Sequence, residues 1–123
     1  MRDKIMTKPT VLVIEDDPKL NEIISITLQA EFELATCVDG DTALECLKTS
    51  VPKIVVLDLN LPGTTGAEIL AYIRSEERLA GTRVILATAD ERQAETLTDD
   101  ADIVLLKPVS PSQLRELSLR ISR

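Results

Sequence analysis

Histidine is absent from the 123-residue chain, and so is tryptophan. Without imidazole there can be no His-ligated metal site, no His–Ser or His–Cys catalytic pair, and no histidine to carry a phosphoryl group within the chain. Phe32 and Tyr72 are the only aromatic side chains, so a core must be assembled from Val, Ile, Leu and Ala. The two cysteines, Cys37 and Cys46, lack metal-ligand spacing. They read as small buried or half-buried side chains in a reducing compartment rather than as a disulfide. No apolar run approaches the ~20 residues of a membrane span. The opening MRDKIMTKPT is charged and lacks the apolar segment of a secretory signal, which predicts a cytoplasmic protein with no membrane partner. Positive charge is in deficit: 14 Lys and Arg against 21 Asp and Glu give a net −7. A nucleic-acid-binding surface should be basic, so direct nucleic-acid binding is not expected. A site that recruits cations is compatible with this balance.

What is present, 44% hydrophobic and 28% charged residues, is the composition of one ordinary globular domain. Residues 1–9 are expected to be a poorly ordered extension. TVLVIE (10–15) is a β-branched run ending in acids, a buried strand. Residues 17–31 form a helix, with Asp17 as its cap, Pro18 at its first position and an apolar face of Leu20, Ile23, Ile24, Thr27 and Leu28. A second strand (32–39) and a helix (40–50) with Ala43, Leu44 and Leu47 inward follow. KIVVLD (53–58) is the third strand. The helix at 65–81 turns Gly66, Ile69, Leu70 and Ile73 inward and has Gly81 at its end. A fourth strand (82–88), a weak helix (90–101) with only Ala94, Leu97 and Ala101 to bury, and a fifth strand (102–107) come next. The last helix (110–121) is capped by Ser110, has Pro111 at its first position and points Leu114, Leu117 and Ile121 inward. Five strands alternating with five helices predict an α/β fold. The near-continuous apolar strands predict a parallel sheet covered on both faces.

In such a sheet the functional crevice lies beyond the carboxyl ends of the strands. The first strand delivers Glu15, Asp16 and Asp17 there, the third Asp58, the fourth Thr88 and the fifth Lys107. Asp39 and Gly40, after the second strand, read as turn residues. Crowded carboxylates repel one another, and a divalent cation relieves them. With only oxygen ligands on offer the ion should be hard, as Mg²⁺ is. One ammonium, one hydroxyl, a metal and a carboxylate nucleophile together suit a phosphoryl group. Each residue alone has a plainer reading: Asp17 as a helix cap, Asp58 as a turn acid, Thr88 as a strand residue, Lys107 as a surface charge. The joint pattern carries the argument.

At this point the chain resembles the response-regulator receiver domain of two-component signalling, through VLVIEDDP (11–18), VVLDLNLPGTTG (55–66), VILATAD (84–90) and LLKP (105–108). The resemblance covers essentially the whole chain. It implies a flavodoxin-like (βα)5 fold, a doubly wound parallel sheet in the strand order 2-1-3-4-5. It implies that Asp58 is the phosphoacceptor and that Asp16, Asp58 and the backbone carbonyl of Asn60 bind Mg²⁺, with Glu15 supporting the ion through water. Thr88 and Lys107 would each bind a phosphoryl oxygen, Ala89 would leave the approach open, and the Lys107–Pro108 bond would be cis. The donor would be a phosphohistidine on a histidine kinase or histidine phosphotransfer protein. The chain would be a monomer or weak homodimer, catalysing only its own phosphorylation and dephosphorylation.

Two departures from the family pattern stand out. Val104 occupies the position, three before the lysine, where the family usually carries an aromatic residue, and the stretch from Thr88 to Lys107 is short by about one helical turn. Both fall on the face the family commonly uses for output. Two rival readings remain open at this stage. One is a receiver-like interaction module that is never phosphorylated. The other is a haloacid-dehalogenase-type phosphatase, which would need a second acid where Asn60 stands.

Overall fold

The computed structural model describes residues 8–123. The expectation of a poorly ordered extension at 1–9 therefore lies outside the described residues, except at Lys8 and Pro9. The Pro9 carbonyl accepts a hydrogen bond from the Glu33 N–H at 2.9 Å.

Five strands, β1 (Thr10–Ile14), β2 (Glu33–Cys37), β3 (Ile54–Leu57), β4 (Arg83–Thr88) and β5 (Ile103–Leu106), form one parallel sheet in the order β2-β1-β3-β4-β5. Helices α1 (Pro18–Leu28), α2 (Gly40–Thr49), α3 (Gly66–Ser75), α4 (Glu91–Thr96) and α5 (Pro111–Ile121) alternate with them. The expected fold class is the observed one. Strand periodicity divides the core in two. Leu12, Ile14, Val55, Leu57, Val84 and Leu86 point to one face and meet Ala43, Leu47, Ile69, Leu70, Ile73 and Ala94 of α2, α3 and α4. Val11, Val13, Ile54, Val56, Ile85 and Ala87 point to the other and meet Ile24 and Leu28 of α1 and Leu114 of α5. The unbroken apolar runs Val11–Ile14, Ile54–Leu57 and Val84–Ala87 in the three central strands are what two covered faces require.

The helix starts follow the cap chemistry. The Asp17 carboxylate accepts from the Lys19 and Leu20 amides, and Pro18 follows it. Ser110 accepts from the Gln113 amide ahead of Pro111. Asp39, expected as a plain turn residue, is the cap of α2 and accepts from the Thr42 amide at 2.7 Å.

Three local expectations are corrected. Ile23 does not join the inner face of α1 but is 48% exposed, and Asn21 is buried in its stead, because the helix turns Asn21, Ile24 and Leu28 to the sheet. The helix expected to run to Gly81 ends at Ser75. Glu76 is extended, a single 3₁₀ turn spans Glu77–Leu79, and Gly81 has no left-handed backbone to supply a helix terminator. The weak helix expected over 90–101 is helical only over Glu91–Thr96, and Ala94 alone on it is fully buried.

Candidate functional site

Strand register brings distant residues to one rim. Ile14 pairs with Leu57, and the Asp58 N–H donates to the Ile14 carbonyl at 3.1 Å, so Glu15 and Asp58 leave the sheet side by side. On the far side the Lys107 N–H donates to the Thr88 carbonyl at 3.0 Å. The long lysine stem then crosses β4. Its Nζ lies 3.0 Å from Asp58 Oδ2 and 2.9 Å from Glu15 Oε1. Glu15 and Asp58 are 2% and 4% exposed, so this ammonium compensates two carboxylates that water barely reaches.

Carboxylate oxygens of Glu15, Asp16 and Asp58 all lie within 4.8 Å of one another. Asp16 is exposed, at the open side of the group. The donors are all hard oxygens, a set that fits a hard divalent cation and could hold one. Burial chiefly raises the Glu15 carboxyl above its ordinary pKa. The Lys107 and Asp17 N–H groups pull it down, and the Asp58 charge pushes it further up. On Lys107 burial works against the charge, but the hydrogen bonds to Glu15 and Asp58 outweigh it and its pKa lies above the ordinary value.

The surrounding backbone fixes these groups. Asn60 donates its N–H to Asp58 Oδ1 at 3.2 Å, and Asp17 donates its N–H to Glu15 Oε2 at 3.1 Å. Thr88 is fully buried at the end of β4, where its hydroxyl accepts from the Asp90 N–H at 3.1 Å. Thr88 thus stands on the strand between Asp58 and Lys107, tied to Lys107 through its carbonyl. Ala89 follows and is exposed. The Lys107–Pro108 peptide is cis. Gly66 opens α3 against the site strand, where a β-carbon would come within 2.2 Å of the Asp58 carbonyl oxygen and 2.5 Å of Leu59 Cα.

Sequence reasoning missed Asn21. Its side-chain amide donates to the Glu15 carbonyl at 2.9 Å and the Cys37 carbonyl at 3.2 Å, locking the end of β1 to the end of β2. The signal was available: an amide in phase with Ile24 and Leu28 on a buried helix stripe must satisfy its donors locally.

A doubly wound parallel sheet whose carboxyl rim gathers three acids under one lysine defines a flavodoxin-like α/β domain with a charged polar pocket. The model of the response regulator receiver domain matches residues 11–118, and the chain belongs to that family. It is 33% identical over 108 residues to the DNA-binding response regulator MtrA of Mycolicibacterium smegmatis, a match covering 85% of this chain and 46% of MtrA. The chain thus spans about half the length of this curated relative. The chemotaxis response regulator CheY4 of Vibrio cholerae superposes with a TM-score of 0.84 at 28% identity, over 94% of this chain and 99% of that one. The response regulator TrrA of Thermotoga maritima, solved in complex with Mg²⁺ and BeF, superposes with a TM-score of 0.82 at 28% identity, over 92% of this chain and 98% of that one.

Proposed function

We propose that Asp58 accepts a phosphoryl group from a phosphohistidine on a histidine kinase or histidine phosphotransfer protein. The observation that carries this reading is the Asp58 carboxylate itself. It is nearly buried at the mouth of a parallel sheet, 3.0 Å from one ammonium and grouped with two further acids. An Asp58 carboxylate oxygen attacks phosphorus, the phosphorus–nitrogen bond breaks, and the imidazole leaves with the donor. Lys107 moves from the bare carboxylates to a phosphoryl oxygen. Thr88 donates its hydroxyl hydrogen to another, while its lone pair can still take the Asp90 N–H. Asp16, Asp58 and the Asn60 carbonyl would hold Mg²⁺, with Glu15 supporting it through water. The bound ion supplies neutralisation of the charge gathered on the phosphoryl oxygens.

Phosphorylation replaces a carboxylate by a group of higher charge. The resulting redistribution of Lys107 and Thr88 shifts a two-state surface that a partner protein reads. Chemistry is confined to the chain's own phosphorylation and its reversal. The net charge of −7 supports a protein partner over direct nucleic-acid contact by this segment. The proposed setting is the cytoplasm, with the chain acting as a monomer or weak homodimer. The test is incubation with a small-molecule acyl phosphate and Mg²⁺, followed by intact mass. The wild-type chain gains one phosphoryl group and Asp58→Asn gains none. A phosphoryl gain on Asp58→Asn would overturn the assignment.

A further inference from the structure

The loop of residues 59–65, between β3 and α3, carries Asn60, whose N–H already holds Asp58. This loop is fastened to the start of α2. The Gly40 N–H donates to the Pro62 carbonyl at 3.0 Å, and a β-carbon at Gly40 would stand only 1.7 Å from the Thr64 carbonyl oxygen. One residue on, Asp41 Oδ1 accepts both the Thr64 N–H at 3.0 Å and the Thr64 hydroxyl at 2.6 Å. Gly63, with φ +75°, turns the chain beneath that carboxylate: a β-carbon there would meet Asp41 Oδ2 at 2.8 Å. The Thr64 hydroxyl and then its N–H hold the Asp41 carboxyl below the ordinary carboxylate range. Negative charge in the first turn of a helix is also favoured by the helix dipole. At its other end the loop is closed by the Gly66 N–H on the Leu59 carbonyl at 3.1 Å. Asn60 and Leu61 therefore span two anchors, one at Leu59 and one on α2.

We propose that Asp41 is a positioning residue for the Asp58 site: through Thr64 it pins the loop to α2 and so fixes the Asn60 peptide beside the Asp58 carboxylate. The proposal rests on the reading of Asp58 as phosphoacceptor with Mg²⁺ held partly by the Asn60 carbonyl. Neither Asp41 nor Thr64 touches the reacting atoms. Releasing the loop leaves every carboxylate in place and loosens one backbone ligand.

The test compares wild type, Asp41→Ala, Thr64→Val and Thr64→Ser in the full chain. Amide hydrogen exchange across residues 59–65 reads the loop, calorimetric titration with Mg²⁺ reads the metal site, and intact mass after an acyl phosphate reads phosphorylation. Asp41→Ala and Thr64→Val are expected to exchange faster in this segment and to bind Mg²⁺ about tenfold more weakly, the lower end for losing a group that orients a metal ligand. Phosphorylation slows at low Mg²⁺ and recovers at saturating Mg²⁺. Thr64→Ser keeps the hydroxyl and behaves as wild type, which separates the hydrogen bond from mere packing. Unchanged exchange in Asp41→Ala would overturn the clamp. Faster exchange with unchanged Mg²⁺ affinity would overturn the positioning role. If wild type itself gains no phosphoryl group while the exchange difference stands, the Asp58 reading fails and the positioning role falls with it, a pattern unlike either of the others.

Discussion

Replacing Lys107 by Met tests the electrostatic account of the site most directly. The ammonium lies 2.9 Å from Glu15 and 3.0 Å from Asp58, and those carboxylate side chains are 2% and 5% exposed. Methionine keeps most of the stem and removes the charge, leaving two acids with neither water nor a cation. Removing one partner from a buried ion pair costs about 3–5 kcal/mol, mostly as the penalty on the charge left behind. The Lys107 side chain is 22% exposed, which admits some solvent screening and favours the low end. The expected loss at pH 7 is thus about 3 kcal/mol, read as a lower urea midpoint with an unchanged slope. Two accompanying responses set this apart from a packing defect. The Glu15 pKa is raised in the wild type, chiefly by burial, and loses the opposing hydrogen bond from Lys107 in the variant. Between that raised value and the ordinary 4.5 the folded state binds more protons than the unfolded one. Stability attributed to Glu15 therefore rises as pH falls through this window, and the deficit of Lys107→Met shrinks between neutral and mildly acidic pH. A divalent cation that binds only the folded state adds about 2.7 kcal/mol at a hundred times its Kd, enough to offset most of the loss. A deficit at pH 7 below about 0.5 kcal/mol, the range of ordinary surface substitutions, would refute the reasoning. So would a deficit that grows on acidification.

The same ammonium predicts an alkaline limb. Its raised pKa means its stabilisation is complete below the ordinary 10.5 and is lost as pH rises through the folded value, so urea midpoints of wild type and Lys107→Met converge there. Ser118 is fully buried on α5 and its hydroxyl finds no hydrogen-bond partner among the described residues. Ser118→Ala should therefore raise stability by about 1 kcal/mol, seen as a higher melting temperature. Gly66→Ala would press a β-carbon against backbone atoms at 2.2 and 2.5 Å. It should cost at least roughly 2 kcal/mol in urea unfolding, since neither contact is a side chain that can rotate away.

The sheet and the four charged or hydroxylic strand ends were legible in the sequence because β1, β3, β4 and β5 are largely apolar runs that end abruptly in polar residues. The rim then follows from parallel register alone. Ile23 was misplaced because an apolar residue beside a true core position satisfies the same helical spacing, and only packing decides which stripe faces the sheet. Asn21 won that place because its amide ties two strand carbonyls, a reward no hydropathy pattern records. The early end of α3 was hidden for a related reason. Arg78 donates to the Ser50 and Leu47 carbonyls at 3.1 and 2.7 Å, so the chain after Glu76 is held by contacts from another helix rather than by its own propensity. The Asp41–Thr64 pair joins residues 23 apart through two loops, and its residues read singly as a first-turn acid and a loop threonine.

The short connection from Thr88 to Lys107 raises a question of level: α4 has six residues and buries only Ala94 fully, too little to hold β5 at a fixed height. The answer lies at the opposite end of the strands. Asp102 Oδ2 accepts the Val84 N–H at 2.7 Å and Arg74 at 3.0 Å, while its Oδ1 takes Arg83 at 3.1 Å. Arg74 also donates to the Thr82 and Asp100 carbonyls at 2.9 and 2.7 Å. This knot sets β5 against β4 at the pairing of Ile85 with Ile103, four residues before Lys107. A slip of one residue would carry Lys107 about 3.3 Å along the strand and turn it to the other face. Contacts of 2.9 and 3.0 Å to Glu15 and Asp58 could not survive either change. The height of the lysine is thus set by this knot at the foot of the sheet together with the Lys107 N–H on the Thr88 carbonyl at its rim, and not by α4.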